Sequence, residues 1–272
     1  MPRVWKALDR AFPNDKEIFF VDRNQPDSIE KHLANIVQGD FERIVVVGGD
    51  GTLGRLVHGL CAHQLIDKYT LGLLPFGTCN DFARNLGLKS GRLNRALRAL
   101  QKNVWRQVWV ARVNGRYFIN NAGFGKRAPA EQKKGSIRTI REMRPITVRI
   151  ETEEEVVEGK FMMMLCANAP YFSGGLYFSR LSNPAHDWLD FYFIRKMARI
   201  RLLARLLVGR ARLPLRMGQT SRSVFSMRSR KLSLYSEEPL WIVADGDPLS
   251  SAEGVCAAHF DIAESCRFIV SQ

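Results

Sequence analysis

Apolar residues fall into two textures along this chain. In the first third they recur at helical spacing, between short apolar runs. Ile29, Leu33, Ile36 and Val37 line one face of a helix predicted over Ser28–Val37, with Asp27 or Ser28 as its cap. Arg43–Val47 is a β-branched run bounded by glycines, which suits a strand buried on both faces. Leu53–Ile66 reads as a helix, Leu71–Leu74 as a second strand, and Asp81–Leu86 opens a further helix. Met1–Arg10 also has a helical pattern. Strand–helix alternation of this kind implies a parallel sheet with helices on its faces.

After about residue 104 the pattern changes to short extended runs. Val108–Val113, Arg116–Asn121, Ile146–Glu151, Glu155–Ala167, Leu189–Ile194, Val224–Met227, Lys231–Tyr235 and Leu240–Val243 are strand-like. Turns are expected at Asn114-Gly115, Glu158-Gly159 and Glu237–Pro239. One helix, near Lys196–Val208, interrupts them. The boundary is placed near Lys102. It separates an α/β domain, residues 1–102, from an antiparallel sandwich or barrel, residues 103–272. A return of the final strand, Phe268–Val270, to the first domain is left open.

Composition narrows the class. The 272 residues are 46% hydrophobic, 25% charged and 10% aromatic, which excludes a disordered or collagen-like chain. The longest apolar runs, such as Phe161–Ala167, fall far short of the roughly 20 residues a spanning helix needs. Residues Met1–Arg10 carry no secretory pattern, and the five cysteines show no CxxC spacing. Reduced thiols in a cytoplasmic chain are expected, and zinc is not.

The net charge of +14 is concentrated. Phe191–Ser236 contains no Asp or Glu but twelve Lys and Arg, so most of the excess lies in one stretch. Nucleic acid, an anionic membrane surface and a phosphorylated substrate all suit such a patch. Within Arg195–Arg216, the bases alternate with Met197, Ile200, Leu203 and Leu207 at helical spacing. The pattern fits either a core-facing helix with a solvated side or one lying on an anionic bilayer. Aromatic stacking residues are not interleaved at regular intervals, so nucleic acid is not expected as the partner.

Two loops carry the candidate chemistry. Ile44–Val47 runs into Gly48-Gly49-Asp50-Gly51-Thr52-Leu53-Gly54, a buried strand passing through glycines into a helix. Such a loop lets backbone N–H groups approach phosphate oxygens, and a helix N-terminus adds a favourable partial charge. Asp50 does not suit direct phosphate contact, because like charges repel. A ribose, Mg²⁺ or a substrate hydroxyl fits it better. The loop is neither a Walker loop nor GxGxxG; its plainer reading is a tight turn with a capping Asp. The second loop, Gly77-Thr78-Cys79-Asn80-Asp81-Phe82-Ala83-Arg84, repeats the arrangement after the second strand. Ligands bind at the carboxyl ends of strands in open α/β folds, although Asn80 or Asp81 also suits a plain N-cap. The late Asp245-Gly246-Asp247 reads equally well as a type I′ hairpin turn.

Together these motifs resemble the diacylglycerol kinase catalytic-domain family, which includes the bacterial YegS-like lipid kinases and the sphingosine kinases. Asn120–Gly125, Asn183–Asp190 and Asp245–Pro248 resemble its later motifs, in the family's order. The resemblance implies an NAD-kinase-like α/β domain and a C-terminal antiparallel β-sandwich, with ATP and Mg²⁺ held between them. It implies phosphate binding by Gly48 to Gly54, including Thr52 and Leu53, and by Thr78. Asp50 and Asp81, beside Asn80, would organise Mg²⁺. Asp245 and Asp247 would lie at the reacting hydroxyl, one of them as general base. A structural metal would involve Asp187 with main-chain oxygens near Pro184 and Leu189.

Departures from the pattern are specific. The family's first strand, with its Asn-Pro-x-Ser-Gly segment, has no counterpart here, and Asp22 stands near an expected Thr. Gly54-Arg55 replaces Asn-Glu, Trp188 replaces a Gly, and Asp247 shortens a Glu. An ATP-dependent lipid kinase that phosphorylates a membrane lipid such as diacylglycerol is the leading expectation, in phospholipid biosynthesis and with peripheral membrane association. A degenerate membrane-surface binding protein of the same fold stays open. An NAD kinase is disfavoured by the Gly77–Arg84 and Asp-Gly-Asp motifs. Neither the lipid nor a homodimer is fixed by the residues.

Overall fold

A computed structural model describes residues 2–13, 16–21, 25, 29–125, 144–172, 174–177, 179, 181–195, 224–249 and 254–271. The helix expected near Lys196–Val208, all of the basic stretch beyond Arg195 as far as Arg216, Asp22 and the cap candidates Asp27 and Ser28 lie outside them. The chain forms two compact units: Met1–Val108 with Glu264–Gln272, and Trp109–Ala263.

The first unit is α/β. Its elements are α1 (Pro2–Ala11), α2 (Glu30–Gln38), β1 (Arg43–Gly48), α3 (Asp50–Ala62), β2 (Thr70–Pro75), α4 (Asp81–Asn85) and α5 (Leu93–Lys102). β1 and β2 are parallel, from Arg43 opposite Thr70 to Gly48 opposite Pro75. On its other edge β2 pairs in parallel with Arg267 and Phe268 of the chain's last strand. Every residue of β2 is buried, as its unbroken apolar run requires between two parallel neighbours. α3 begins at Asp50, not at Leu53, because the extended backbone of Gly49 already serves as its cap. It closes at Ala62, short of the expected Ile66, and Gln64 follows with a positive φ of 57°. Leu53, Val57, Leu60 and Leu71 are fully buried, and Phe82 meets Phe268 edge-on at 4.9 Å. Each such side chain stabilises the unit by about 1.5–3 kcal/mol relative to exposure.

The described residues of the second unit are built from strands. The strands are β3 (Trp105–Val113), which begins in the first unit, β4 (Arg116–Phe118), β5 (Asn121–Gly125), β6 (Ile146–Glu151), β7 (Val156–Phe161), β8 (Met163–Ala167), β9 (Tyr171–Phe172), β10 (Leu176–Tyr177), β11 (Leu189–Ile194), β12 (Val224–Ser229), β13 (Lys231–Ala244), β14 (Asp247–Pro248) and β15 (Val255–Ile269), which ends in the first unit. The β3–β4 hairpin turns at Asn114-Gly115, whose φ values of 45° and 84° meet the type I′ requirement.

Two of the expected turns are strand instead. Gly159 lies inside β7, where a Cβ would meet the Phe161 ring at 2.8 Å, so the glycine makes room for an aromatic ring. The β6–β7 reversal falls instead at Thr152–Glu155, where the Thr152 N–H bonds the Glu155 carbonyl. Glu237–Pro239 is a bulge within β13, between the pairs Tyr235–Ala257 and Leu240–Val255. Pro239 suits a bulge because it has no N–H to pair.

That bulge lets one strand serve both layers of a sandwich. The first half of β13 pairs with β15 and β6, while Trp241–Ala244 pairs with β5. The order then continues through β8 and β11 to β12. Phe118, Phe124, Phe161, Phe191, Phe193 and Phe260 fill the space between. Among the described residues no helix is long and apolar enough to cross a membrane.

Candidate functional site

In the first unit the two glycine loops are locked to one another. A Cβ on Gly77 would lie 2.3 Å from the Gly49 Cα, and one on Gly49 would lie 2.7 Å from the Gly77 Cα. Loop-to-loop packing therefore dictates glycine at both positions. Asp50 adds a polar lock: Oδ2 accepts the Asp81 N–H and Oδ1 the Phe82 N–H, both at 2.9 Å. These are N-terminal donors of α4, which a helix leaves without an internal partner. Asn80, with φ at 51°, closes the turn. Its Oδ1 accepts from the Gly77 N–H at 2.9 Å, and its Nδ2 donates to the Gly77 carbonyl and to Ser90 Oγ.

What remains open is the start of α3. Gly49 is its N-cap and no side chain caps it. A Cβ on Gly51 would meet nothing within 4 Å. Gly51 and Thr52 are first-turn residues whose N–H groups have no intrahelical acceptor, the geometry that receives phosphate. Gly48 is held by the Phe76 N–H on its carbonyl. The Leu53 N–H bonds the Gly49 carbonyl, and its side chain is wholly in the core; Gly54 is buried on the same helix. Thr78 is exposed on the second loop. Arg84 donates to the Cys79 and Asn80 carbonyls and stands 3.8 Å from Asp81. Burial, then the Asp81 and Asp50 carboxylates, push the Cys79 thiol up, against the pull of Arg84. The phosphate part of a nucleotide thus fits this loop. The Asp50 carboxylate is engaged with two backbone N–H groups, and that of Asp81 stands beside Arg84 at 3.8 Å.

The second unit carries the Asp-Gly-Asp motif on the β13–β14 hairpin. Asp245 and Gly246 have φ of 49° and 90°, and Ala244 pairs with Asp247 across them. The hairpin-turn reading is therefore realised, and Asp245 has a further part. Its Oδ2 accepts the Ile119 N–H at 2.8 Å, while Oδ1 accepts those of Asn120 and Asn121 at 2.9 and 3.1 Å. This explains why the expected strand Arg116–Asn121 breaks into β4 and β5: the backbone between them turns to face one carboxylate. Asn168, buried, supports the same turn by donating from Nδ2 to the Trp109 and Ile119 carbonyls. Nothing in the local sequence pointed to Asn168. Asp247 behaves differently. Its carboxylate is half exposed and, among the described residues, meets only Arg116 by side chain, at 3.1 Å. Of the pair, Asp245 is the carboxylate that takes three backbone N–H groups, and Asp247 the one that meets a guanidinium.

The residues implied for a structural metal do not fit one. Arg230 Nη1 sits 2.9 Å from Asp187 Oδ2, where a cation would stand. The Pro184 carbonyl accepts the Trp109 N–H at 2.6 Å, and Leu189 lies in β11 paired with Ser229. Among the described residues no group of three or more His, Cys, Asp or Glu is arranged to hold a metal ion.

Comparison with known proteins adds a family match over part of the chain. Residues 2–113 match the model described as the diacylglycerol kinase catalytic domain. A diacylglycerol kinase of Bacillus subtilis is 34% identical over 142 residues, 46% of this chain and 46% of its own length. One from Staphylococcus carnosus is 31% identical over 144 residues, 47% of this chain and 46% of its own length. The matched segment thus spans about half the length of those relatives. A Bacillus subtilis protein named provisionally as a lipid kinase, YtlR, is 21% identical over 90% of this chain and 88% of its own length. The crystal structure of a diacylglycerol kinase from Bacillus anthracis superposes with a TM-score of 0.69 at 22% identity, covering 97% of this chain and 87% of its own. At that identity the likeness shows the fold: α/β plus β-sandwich.

Proposed function

We propose, for a chain whose residues 2–113 match the diacylglycerol kinase catalytic domain, an ATP-dependent transfer of phosphate to the hydroxyl of a membrane lipid such as diacylglycerol. The observation that carries this reading is the uncapped start of α3. Its first-turn N–H groups and the open space over Gly51 suit the nucleotide's phosphates, while Asp50 and the Gly49–Gly77 contact hold that loop rigid. Mg²⁺, bound with the nucleotide, would neutralise charge on the transferring phosphoryl group.

The carboxylate assigned to the reacting hydroxyl is Asp247. As the hydroxyl oxygen bonds to the γ-phosphorus and the bond to the leaving diphosphate breaks, the hydroxyl proton passes to its free carboxylate oxygen. Asp245 is a positioning residue, because backbone N–H groups hold both of its oxygens. Arg116 orients Asp247 through the 3.1 Å contact to Oδ2. The acid-free Phe191–Ser236 segment draws the protein to an anionic bilayer, where such a substrate resides.

A second reading, a membrane-surface binder of the same fold without transfer, is favoured by Arg55 in place of an acidic residue and by Arg230 seated on Asp187. Transfer from labelled ATP to lipid alcohols in anionic liposomes separates the two. Asp247→Asn is expected to lower kcat by about 10²–10⁴. Gly51→Ala is expected to fold normally yet weaken ATP binding. Absence of both ATP binding and transfer in the unaltered chain would leave the second reading.

A further inference from the structure

We propose that in the second unit the guanidinium groups of Arg228 and Arg230 stand in for a divalent cation, so that the Asp187–Asp190 segment is ordered by the chain itself. The inference is independent of the kinase reading. Two carboxylates there meet two guanidinium groups. Asp187 Oδ2 lies 2.9 Å from Arg230 Nη1, and Asp190 Oδ1 lies 2.8 Å from Arg228 Nε. Asp190 is fully buried, so its charge requires a paired, hydrogen-bonded partner. Its other oxygen accepts from Ser182 Oγ at 2.6 Å. Ser182 in turn bonds Ser179, and Ser179 lies 2.6 Å from the Tyr192 hydroxyl. The carboxylates are thereby matched without an outside cation.

Trp188 accounts for the geometry. The Arg228 guanidinium lies 4.7 Å from its ring centroid, and the His186 ring packs against it at 4.3 Å. An arginine over the face of an indole is held by the ring quadrupole as well as by its ion pair. A glycine at 188, which the resembled motif carries, offers no such platform. The departure at Trp188 and the seating of Arg228 and Arg230 are therefore parts of one local construction. The Pro184 carbonyl, bonded to the Trp109 N–H, is also engaged by the chain.

The test is thermal unfolding of the full chain, without nucleotide, in EDTA and in millimolar MgCl₂, CaCl₂ or MnCl₂. The unaltered chain is expected to show the same Tm in all four. Arg230→Ala is expected to lose about 2–4 °C in EDTA, to regain most of it with a divalent cation, and to lose that response when Asp187→Asn is added. Arg230→Lys, which keeps a cation, is expected to stay insensitive to metal. A drop in Tm for the unaltered chain in EDTA, restored by metal, would overturn the proposal. So would an Arg230→Ala protein that no divalent cation restores. If Arg230→Ala does not fold, the unaltered chain and Arg230→Lys decide the matter by the same EDTA comparison.

Discussion

Asp50 in the first unit and Asp245 in the second were both marked by their motifs as chemical groups, and both use their carboxylates to hold backbone. Asp50 takes two N–H groups at the start of α4, from a segment 31–32 residues further along the chain. Asp245 takes three, from the β4–β5 turn, 124–126 residues earlier. In each unit the conspicuous Asp freezes a loop, and the proposed chemistry falls to its neighbour. That neighbour is the first turn of α3 in one unit and Asp247 in the other. A carboxylate in a striking motif is thus as readily a brace as a reactant, and only its partners tell the two apart.

The contrast breaks most sharply at the glycines. Gly77→Ala would place a methyl group 2.3 Å from the Gly49 Cα and 2.8 Å from Asn80 Oδ1. Backbone cannot yield as a flexible side chain does, so the first unit should lose about 3 kcal/mol or more. Gly51→Ala should be neutral or stabilising by a few tenths, because its methyl enters open space in a helical turn. Urea unfolding of both variants checks this. Equal midpoints would mean that the two loops are not packed together.

Next in size are the braces themselves. Asp→Asn keeps the shape but turns an amide group toward backbone donors. With three charge-assisted bonds at stake, Asp245→Asn should cost about 2–3 kcal/mol, and Asp50→Asn, with two, about 1–2 kcal/mol. Denaturant midpoints give both values. A reversed order would show that the helix N-terminus at α4 depends on its carboxylate more than the strand turn does.

What was legible in the sequence follows the same division. The first unit is built from local signals: an apolar run into glycines, then a helix, twice over, and β1, β2 and α4 fall where those signals put them. The start of α3 was misplaced because a helix begins inside the glycine motif, with Gly49 as cap. In the second unit Asn114-Gly115 was readable because a two-residue turn carries its own backbone requirement. Gly159 was not, because its reason is the Phe161 ring and not a turn. The partners of Asp245, the support from Asn168 and the seating of Arg230 on Asp187 all bring distant segments together. No spacing rule announces such contacts.

The smallest expected effect lies in alkaline solution and again separates the units. All five cysteines are free, and three are buried: Cys61 and Cys266 in the first unit and Cys166 in the second. Burial, with Glu264 adding to it, pushes the Cys61 thiol from 9.0 up to about 12. Burial likewise raises Cys266 and Cys166 well above the ordinary thiol value. A group raised in the folded state contributes stability that is whole below pH 9.0 and is lost as pH climbs toward about 12, because the unfolded chain sheds the proton first. Near pH 10 each buried thiol should account for about 1 kcal/mol of lost stability. The first unit, with two such thiols, should therefore weaken about twice as much as the second. Cys61→Ala should flatten the decline between about pH 8 and about pH 10 by roughly one thiol's share. An unchanged slope in that variant would place the Cys61 thiol within reach of water, and with it the packed face of α3.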